Sequence, residues 1–390
     1  MLFREVIGHE ALKHRLISSV QQNRVPHAQL FLGPEGCGNL PLALAFAQYL
    51  NCESPGNTDS CGQCPSCQKA LKNIHPDIHF TFPFIAISTG KKEEIKEKCA
   101  DWLPEWRTFL QQQPYGNYNN WINFIQKENK QGNINAKECG DIIHRLSFKT
   151  FESSWKVLVL WLPEFLEKEG NRLLKLIEEP PEQTIFLFVG HNPDRIINTI
   201  LSRLQIVPFG RLQEDEVAWY LQEEQGVPAQ SARQVAVLSN GNIARAAELV
   251  QVSQESYTST LRQWMLACHA YDITDMFAWN EQFIKWGREQ QKQFFFYCIH
   301  FFREVYLMQH GAAVLNRLTE DEMNFAQKLG GKLSAASVER IMELFDTYIY
   351  FIERNASARI LITQMTVSFA HFFHRHPADI RHPFYAEWEL

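Results

Sequence analysis

Two groups of residues in the first seventy positions have types and spacing that could do chemistry. The first is Cys52, Cys61, Cys64 and Cys67, four of nine cysteines, spaced C-x8-C-x2-C-x2-C among Pro55, Gly56, Gly62 and Pro65. Tight C-x2-C turns let two thiolates converge on one ion, and four thiolates complete the closed tetrahedral shell that suits Zn²⁺. A closed shell has no open position for substrate, so one such ion would be structural. Free thiols and an iron–sulfur cluster are the competing readings, and zinc is preferred. His75 lies just downstream, but four sulfurs already fill a shell, so it is read as a non-ligand. Cys37, Cys99, Cys139, Cys268 and Cys298 stand alone and read as small buried residues.

The second group is Gly33-Pro34-Glu35-Gly36-Cys37-Gly38-Asn39-Leu40. It follows the apolar run Gln29–Leu32 and precedes a helical pattern from Leu42 to Leu50, the strand, loop and helix context of a phosphate-binding G-x-x-x-x-G-K-[ST] loop. Gly33 and Gly38 hold the motif's glycine positions. The lysine that would reach the β- and γ-phosphates is Asn39, and the hydroxyl that would hold Mg²⁺ is Leu40. Asparagine brings no charge and leucine ligates no metal. Gly33, Gly36, Gly38 and Asn39 therefore read as a degenerate nucleotide loop without ATP, although the amides of Gly36 to Leu40 could hold phosphate at a helix N-terminus. The strand Lys156–Leu160, which in an ATPase would end in acids, ends in Trp161-Leu162-Pro163-Glu164. Glu164 is the nearest acid. Two independent losses point the same way.

These groups must be positioned by something larger. A chain of 390 residues predicts two or three domains. Its 45% hydrophobic and 21% charged content is that of a globular protein, and no apolar run reaches the 18 residues of a membrane span. The N-terminus Met1-Leu2-Phe3-Arg4-Glu5 lacks a signal-peptide layout, so a cytoplasmic protein with thiols rather than disulfides is expected. A net charge of −6 argues against a generally basic, DNA-coating surface.

Along the chain, Leu12, Leu16, Ile17 and Val20 predict an amphipathic helix over Glu10–Gln21, and Pro41 fits the first turn of the helix after the glycine loop. Residues 84–133 read as an insertion, with a charge run from Lys91 to Lys98 expected on a solvated helix face. Its aromatics (Trp102, Trp106, Tyr115, Tyr118, Trp121) could stack on bases or a partner, but packing onto their own domain is preferred. A helix from Asn135 leads to the strand Lys156–Leu160; a helix over Gly170–Glu179, closed by Pro180-Pro181, leads to a strand over Thr184–Val189. Such uninterrupted apolar strands alternating with helices predict an α/β domain with a mostly parallel sheet over residues 1–208. Short helices over 214–222, 229–238 and 242–250 make a second region, 209–255, and residues 256–390 read as an aromatic-rich helical bundle.

At this point the residues resemble a known family. Asn171-Arg172-Leu173-Leu174-Lys175-Leu176-Ile177-Glu178-Glu179-Pro180-Pro181 is close to the N-x-L-L-K-x-x-E-E-P-P signature of bacterial clamp-loader subunits. Leu201-Ser202-Arg203 is similar to the family's S-R-C motif, with Leu204 in the cysteine position, and a cysteine cluster followed by His75-Pro76-Asp77 is also typical. His191-Asn192-Pro193 resembles the sensor 1 region and Gly241-Asn242-Ile243-Ala244-Arg245 the sensor 2 segment, which places Arg245 at a lid. The resemblance covers about the first 250 residues. It implies an N-terminal RecA-like AAA+ domain of the P-loop NTPase type, an all-α lid and an all-α C-terminal collar that oligomerises the loader. With its disabled loop the chain is similar to the delta-prime branch of that family rather than to the ATP-hydrolysing gamma/tau branch. The implied partners are gamma/tau and delta subunits, with the sliding clamp and primed DNA reached through the assembled complex and no membrane. The implied chemistry is donation: Arg203, on a turn oriented by Ser202, would enter the ATP site of a neighbouring subunit. Pairing of Arg203 with a local carboxylate is the plain alternative. An active AAA+ ATPase and a zinc-dependent nucleic-acid-binding module are the competing functional readings.

Overall fold

A computed structural model describes residues 1–87, 96–125, 132–251, 254–311, 318–354 and 356–374. It forms two compact units, Met1–Ala247 and Glu248–Leu390. The first unit is α/β. Its five strands are β1 (Ala28–Leu32), β2 (Ile78–Thr81), β3 (Lys156–Trp161), β4 (Thr184–Gly190) and β5 (Gln205–Pro208). They lie in the order β2-β3-β4-β1-β5, and every pairing is parallel.

The apolar runs explain the layering. Every residue of β3 and β4 is buried. With a side-chain period of two, Val157, Val159, Ile185, Leu187 and Val189 face one core with the wholly buried helix Asn39–Leu50. Leu158, Leu160, Phe186 and Phe188 face the other, with Ile142 and Leu146 of the helix Ala136–Ser147. Interior β1 pairs with both β4 and the edge strand β5, so the glycine loop leaves the sheet between those two strands. Two strands carry no clear sequence signal. β2 is only four residues long with a histidine at its second position, and β5 is a half-exposed edge.

Within the expected insertion, helices Leu103–Gln112 and Tyr118–Ile125 turn their aromatics inward. Trp106 and Trp121 are fully buried, with Trp106 stacked on Phe82 at 4.2 Å and its ring 5.1 Å from that of Trp161. Of the charge run, Lys91 to Ile95 lie outside the described residues, whereas Lys96 pairs with Glu105 and Lys98 with Asp141. The helix expected over Gly170–Glu179 is split into a 3₁₀ segment, Glu167–Leu173, and a short α-helix, Leu174–Glu178. Glycine in its first half and the steric effect of proline on the residue before it both shorten the α-helical part. Helices Glu214–Glu223, Ala229–Ser239 and Ile243–Gln251 follow. Gly241, at φ 76°, is required before the last of them, because a Cβ there would lie 2.5 Å from Leu212 O.

The second unit is all-α in its described residues. Its helices are Gln254–Ala270, Ile273–Ile284, Arg288–Gln309, Glu320–Gly330, Ala335–Glu353 and Ala358–His374. An aromatic core holds them, with Trp264 stacked on Trp279 at 4.2 Å and buried Phe294, Phe345 and Phe369 around the pair.

Candidate functional site

The glycine loop keeps the backbone of a phosphate loop but not its side-chain chemistry. Gly36 and Gly38 sit at φ 67° and 95°, and the helix starts at Asn39. Asn39 is buried, and its Nδ2 donates to Gly190 O at 3.1 Å and Phe31 O at 3.4 Å. An amide thus ties the ends of β1 and β4 together from the position where a lysine would meet phosphate. Leu40 is buried in the core. Neighbouring residues close on the loop. A Cβ at Gly36 would lie 2.0 Å from Asn242 Oδ1, one at Gly33 2.5 Å from Phe209 Cβ, and one at Gly38 3.2 Å from the Tyr115 ring. Ile243 N donates to Gly36 O at 3.1 Å, and His9 Nε2 donates to Cys37 O at 2.6 Å. Burial pushes the Cys37 thiol up to about 11, so it stays neutral.

The acid-poor end of β3 is equally self-contained. Trp161 is buried among Trp106 and Phe109. Glu164 is also buried, and its Oε1 accepts from His191 N at 2.5 Å and Asn192 N at 2.8 Å. His191 Nδ1 donates onward to Gly33 O at 2.8 Å. Glu164, the sensor-1-like residues and the loop therefore form one internal network. The sensor-2-like turn joins them: Asn242 Oδ1 accepts from Arg245 N at 3.0 Å, and Arg245 is half-buried.

Arg203 is bonded elsewhere. Its guanidinium pairs with Glu178, donates to Thr199 O at 2.6 Å and lies 3.4 Å from Ser202 Oγ. Ser202 closes the helix Asn198–Leu201, and its Oγ donates to Thr199 O at 3.4 Å. About a third of the Arg203 side chain is exposed (35%), as is about half of Glu178. Within this chain the local carboxylate is the partner, as the plain alternative has it. Leu204, where the motif has cysteine, is buried in the second core.

The four cluster cysteines converge. Their sulfurs all lie within 4.8 Å of one another, and Cys61 and Cys67 Sγ are 3.9 Å apart. Four sulfurs at about 2.3 Å from one ion would be about 3.8 Å apart, so the set fits a tetrahedral metal. Backbone amides favour one thiolate: Cys64 N and Gln63 N donate to Cys61 Sγ at 3.3 and 3.5 Å and hold that thiol down to about 6, whereas burial raises Cys52 and Cys67. Cys64 caps the helix Pro65–Leu71, accepting from Cys67 N at 3.4 Å. The other five cysteines are buried. His75 is occupied apart from the sulfurs, with Nε2 3.0 Å from both Ser66 Oγ and Ser153 Oγ, and burial lowers its pKa.

Two acids were given no role by the sequence reading. Asp77, buried, accepts from Phe151 N at 2.5 Å and from Glu152 N and Ser153 N at 2.9 Å each. Asp59, inside the cysteine loop, accepts from Phe3 N at 2.9 Å and Arg4 N at 3.1 Å and so ties the N-terminus to the module. Asp77 entered that reading only within the family-typical His75-Pro76-Asp77.

A parallel sheet with a glycine loop at the carboxyl end of an interior strand places the first unit among P-loop α/β domains of the AAA+ type. Comparison with known proteins narrows this. The profile of the family described as "DNA polymerase III, delta subunit" matches residues 8–213, more than half of the chain, and the chain belongs to that family of clamp-loader subunits. The DNA polymerase III subunit delta' of Bacillus subtilis (strain 168) is 28% identical over 235 residues, 60% of this chain and 56% of that one. The DNA polymerase III subunit tau of the same organism is 26% identical over 216 residues, 55% of this chain and 30% of that one. The chain thus spans between about a third and just over half the length of these curated relatives. A solved structure of a DNA polymerase III gamma subunit-related protein from Thermotoga maritima is 12% identical, with a TM-score of 0.38, covering 93% of this chain and 98% of that one.

Proposed function

We propose that this chain is a delta-prime-type subunit of the DNA polymerase III clamp loader, a stator without its own ATPase. It assists gamma/tau ATPase subunits and a delta subunit in opening the sliding clamp and placing it on primed DNA. The observation that carries this reading is Asn39: the lysine position is filled by a buried amide bonded to Phe31 O and Gly190 O. The active role in this reading is donation of Arg203 to a neighbour's ATP site. The guanidinium must first leave Glu178. That ion pair is partly exposed, and such pairs contribute about 0–1 kcal/mol, so the exchange costs little. In the neighbour's site a planar, permanently charged fork offsets charge growing on the γ-phosphate oxygens. In the same reading Cys52, Cys61, Cys64 and Cys67 hold one structural Zn²⁺, which would supply a closed node fixing the loop that carries Asp59.

The test is reconstitution with gamma/tau and delta subunits, comparing DNA-stimulated hydrolysis for wild type and Arg203→Ala. Loss at the adjacent site on the order of 10³ or more is expected; an unchanged rate in an intact complex removes the role. The tau relative favours a second reading, an active ATPase. Titration of the purified chain separates the two, because Mg-dependent ATP hydrolysis that survives purification excludes the stator.

A further inference from the structure

The turn that carries Arg203 is joined to the segment Glu167–Glu178 at three levels. In the core, Ile200 and Leu204 belong to the same cluster as Leu173 and Ile177. At the surface, Asn171 Oδ1 accepts from Thr199 Oγ1 at 3.0 Å. The guanidinium completes the join: Nε and Nη2 both donate to Glu178 Oε1, and Nη1 donates to Thr199 O at 2.6 Å. All three nitrogens are thereby engaged within the chain. Glu178 is also the last residue of the helix Leu174–Glu178, where the helix dipole disfavours a carboxylate. Helix stability does not account for an acid at this position, whereas the arginine does.

We infer that Glu178 is a positioning residue that parks Arg203, an inhibitory contact built into the proposed arginine finger; this rests on the reading of Arg203 as the group donated to a neighbour. A parked guanidinium cannot offset charge on a γ-phosphate. It becomes available when the phosphates of the neighbour's ATP, with more negative charge than one carboxylate, compete for the same planar fork. The core contacts and the Asn171 bond hold the turn's backbone, so the exchange needs only a side-chain movement. The effective rate at the adjacent site is then reduced by the fraction of time the arginine is parked. A partly exposed pair of this kind shifts that fraction by up to about fivefold.

A double-mutant cycle in the reconstituted complex with gamma/tau and delta subunits tests this. The quantity followed is the Arg203-dependent part of DNA-stimulated hydrolysis, the part lost in Arg203→Ala, at ATP below KM. Glu178→Gln keeps the shape of a half-exposed side chain and should raise that part about two- to fivefold. The gain should shrink as added salt screens the wild-type pair. The double variant should match Arg203→Ala. A residue that only supported the fold would lower the rate when changed, so the sign of the effect decides. An equal or lower rate in Glu178→Gln, with Arg203→Ala still impaired, would overturn the parking role and leave the finger standing. A gain that persists in the Arg203→Ala background would overturn it as well. Full activity of the Arg203→Ala complex would remove the finger itself, and the parking role with it.

Discussion

Restoring the motif with Asn39→Lys and Leu40→Thr should not restore nucleotide binding. Chemically the double variant has what the loop lacks, an ammonium for the phosphates and a hydroxyl for Mg²⁺. Structurally the loop remains closed by Asn242, Ile243 and Phe209. For phosphates to settle on it, the turn before Ile243 has to withdraw. The Asn242 bond to Arg245 N is internal to that turn and moves with it. Withdrawal forfeits the Ile243 N to Gly36 O bond, about 1 kcal/mol, and exposes buried Ile243 at about 2 kcal/mol. The total, about 3 kcal/mol, weakens affinity by roughly a hundredfold. Calorimetric titration with MgATP should therefore be flat for the double variant. Adding Asn242→Gly removes the blocking side chain, and glycine at a cap costs only a few tenths of a kcal/mol. Binding should appear in that triple variant. Tight MgATP binding by the double variant alone would refute the reasoning, since the site would then have lost only its chemistry.

Three further outcomes are expected. Metal analysis should find about one zinc per chain, absent from Cys64→Ala, and chelation should lower the melting temperature; an iron chromophore or no metal would contradict the assignment. Asp77→Asn keeps the shape but weakens three charge-assisted bonds to the loop 151–153, so a loss of about 2 kcal/mol is expected, read as a drop of about 4–8 °C in melting temperature. His79 is largely buried, and desolvation, reinforced by Arg145, pushes its pKa down from 6.5 to about 4. Between those values the unfolded chain binds the proton and the folded chain does not, so stability falls as pH falls from 6.5 toward 4. The full effect is about 3 kcal/mol, and denaturant titrations should show it missing from His79→Gln.

The elements were legible where one physical signal dominated. The helix Glu10–Gln21, the buried strands β3 and β4, and the cysteine cluster stand where periodicity, apolar runs and C-x2-C spacing put them. β2 and β5 were not visible. A strand of four residues at an edge needs no long apolar run, and its place is set by its neighbour. The site was legible as a set of losses. What occupies the lost positions was not, because the partners of Asn39, Glu164 and Asn242 are distant in sequence and are brought together only by the sheet. Nor does sequence reveal that Arg203 pairs with Glu178, since an arginine on a turn has many carboxylates within reach.

Several polar groups around the glycine loop find partners within the chain. The amide of Asn39 takes the carbonyls at the ends of β1 and β4, Glu164 takes the amides of His191 and Asn192, and Gly36 O takes the amide of Ile243. Buried polar groups left without partners would each cost about 1–3 kcal/mol, so a loop that had merely lost its ligand would be a weak point. Glu164 Oε2 has no hydrogen-bond partner among the described residues, but the Ile243 N to Gly36 O bond holds the sensor-2-like turn against the loop. An ATPase subunit needs this region to exist in two arrangements biased by ligand. A stator needs only one. The contacts that close on the loop therefore suit the proposed role, in which this chain is the fixed member against which nucleotide-driven neighbours move.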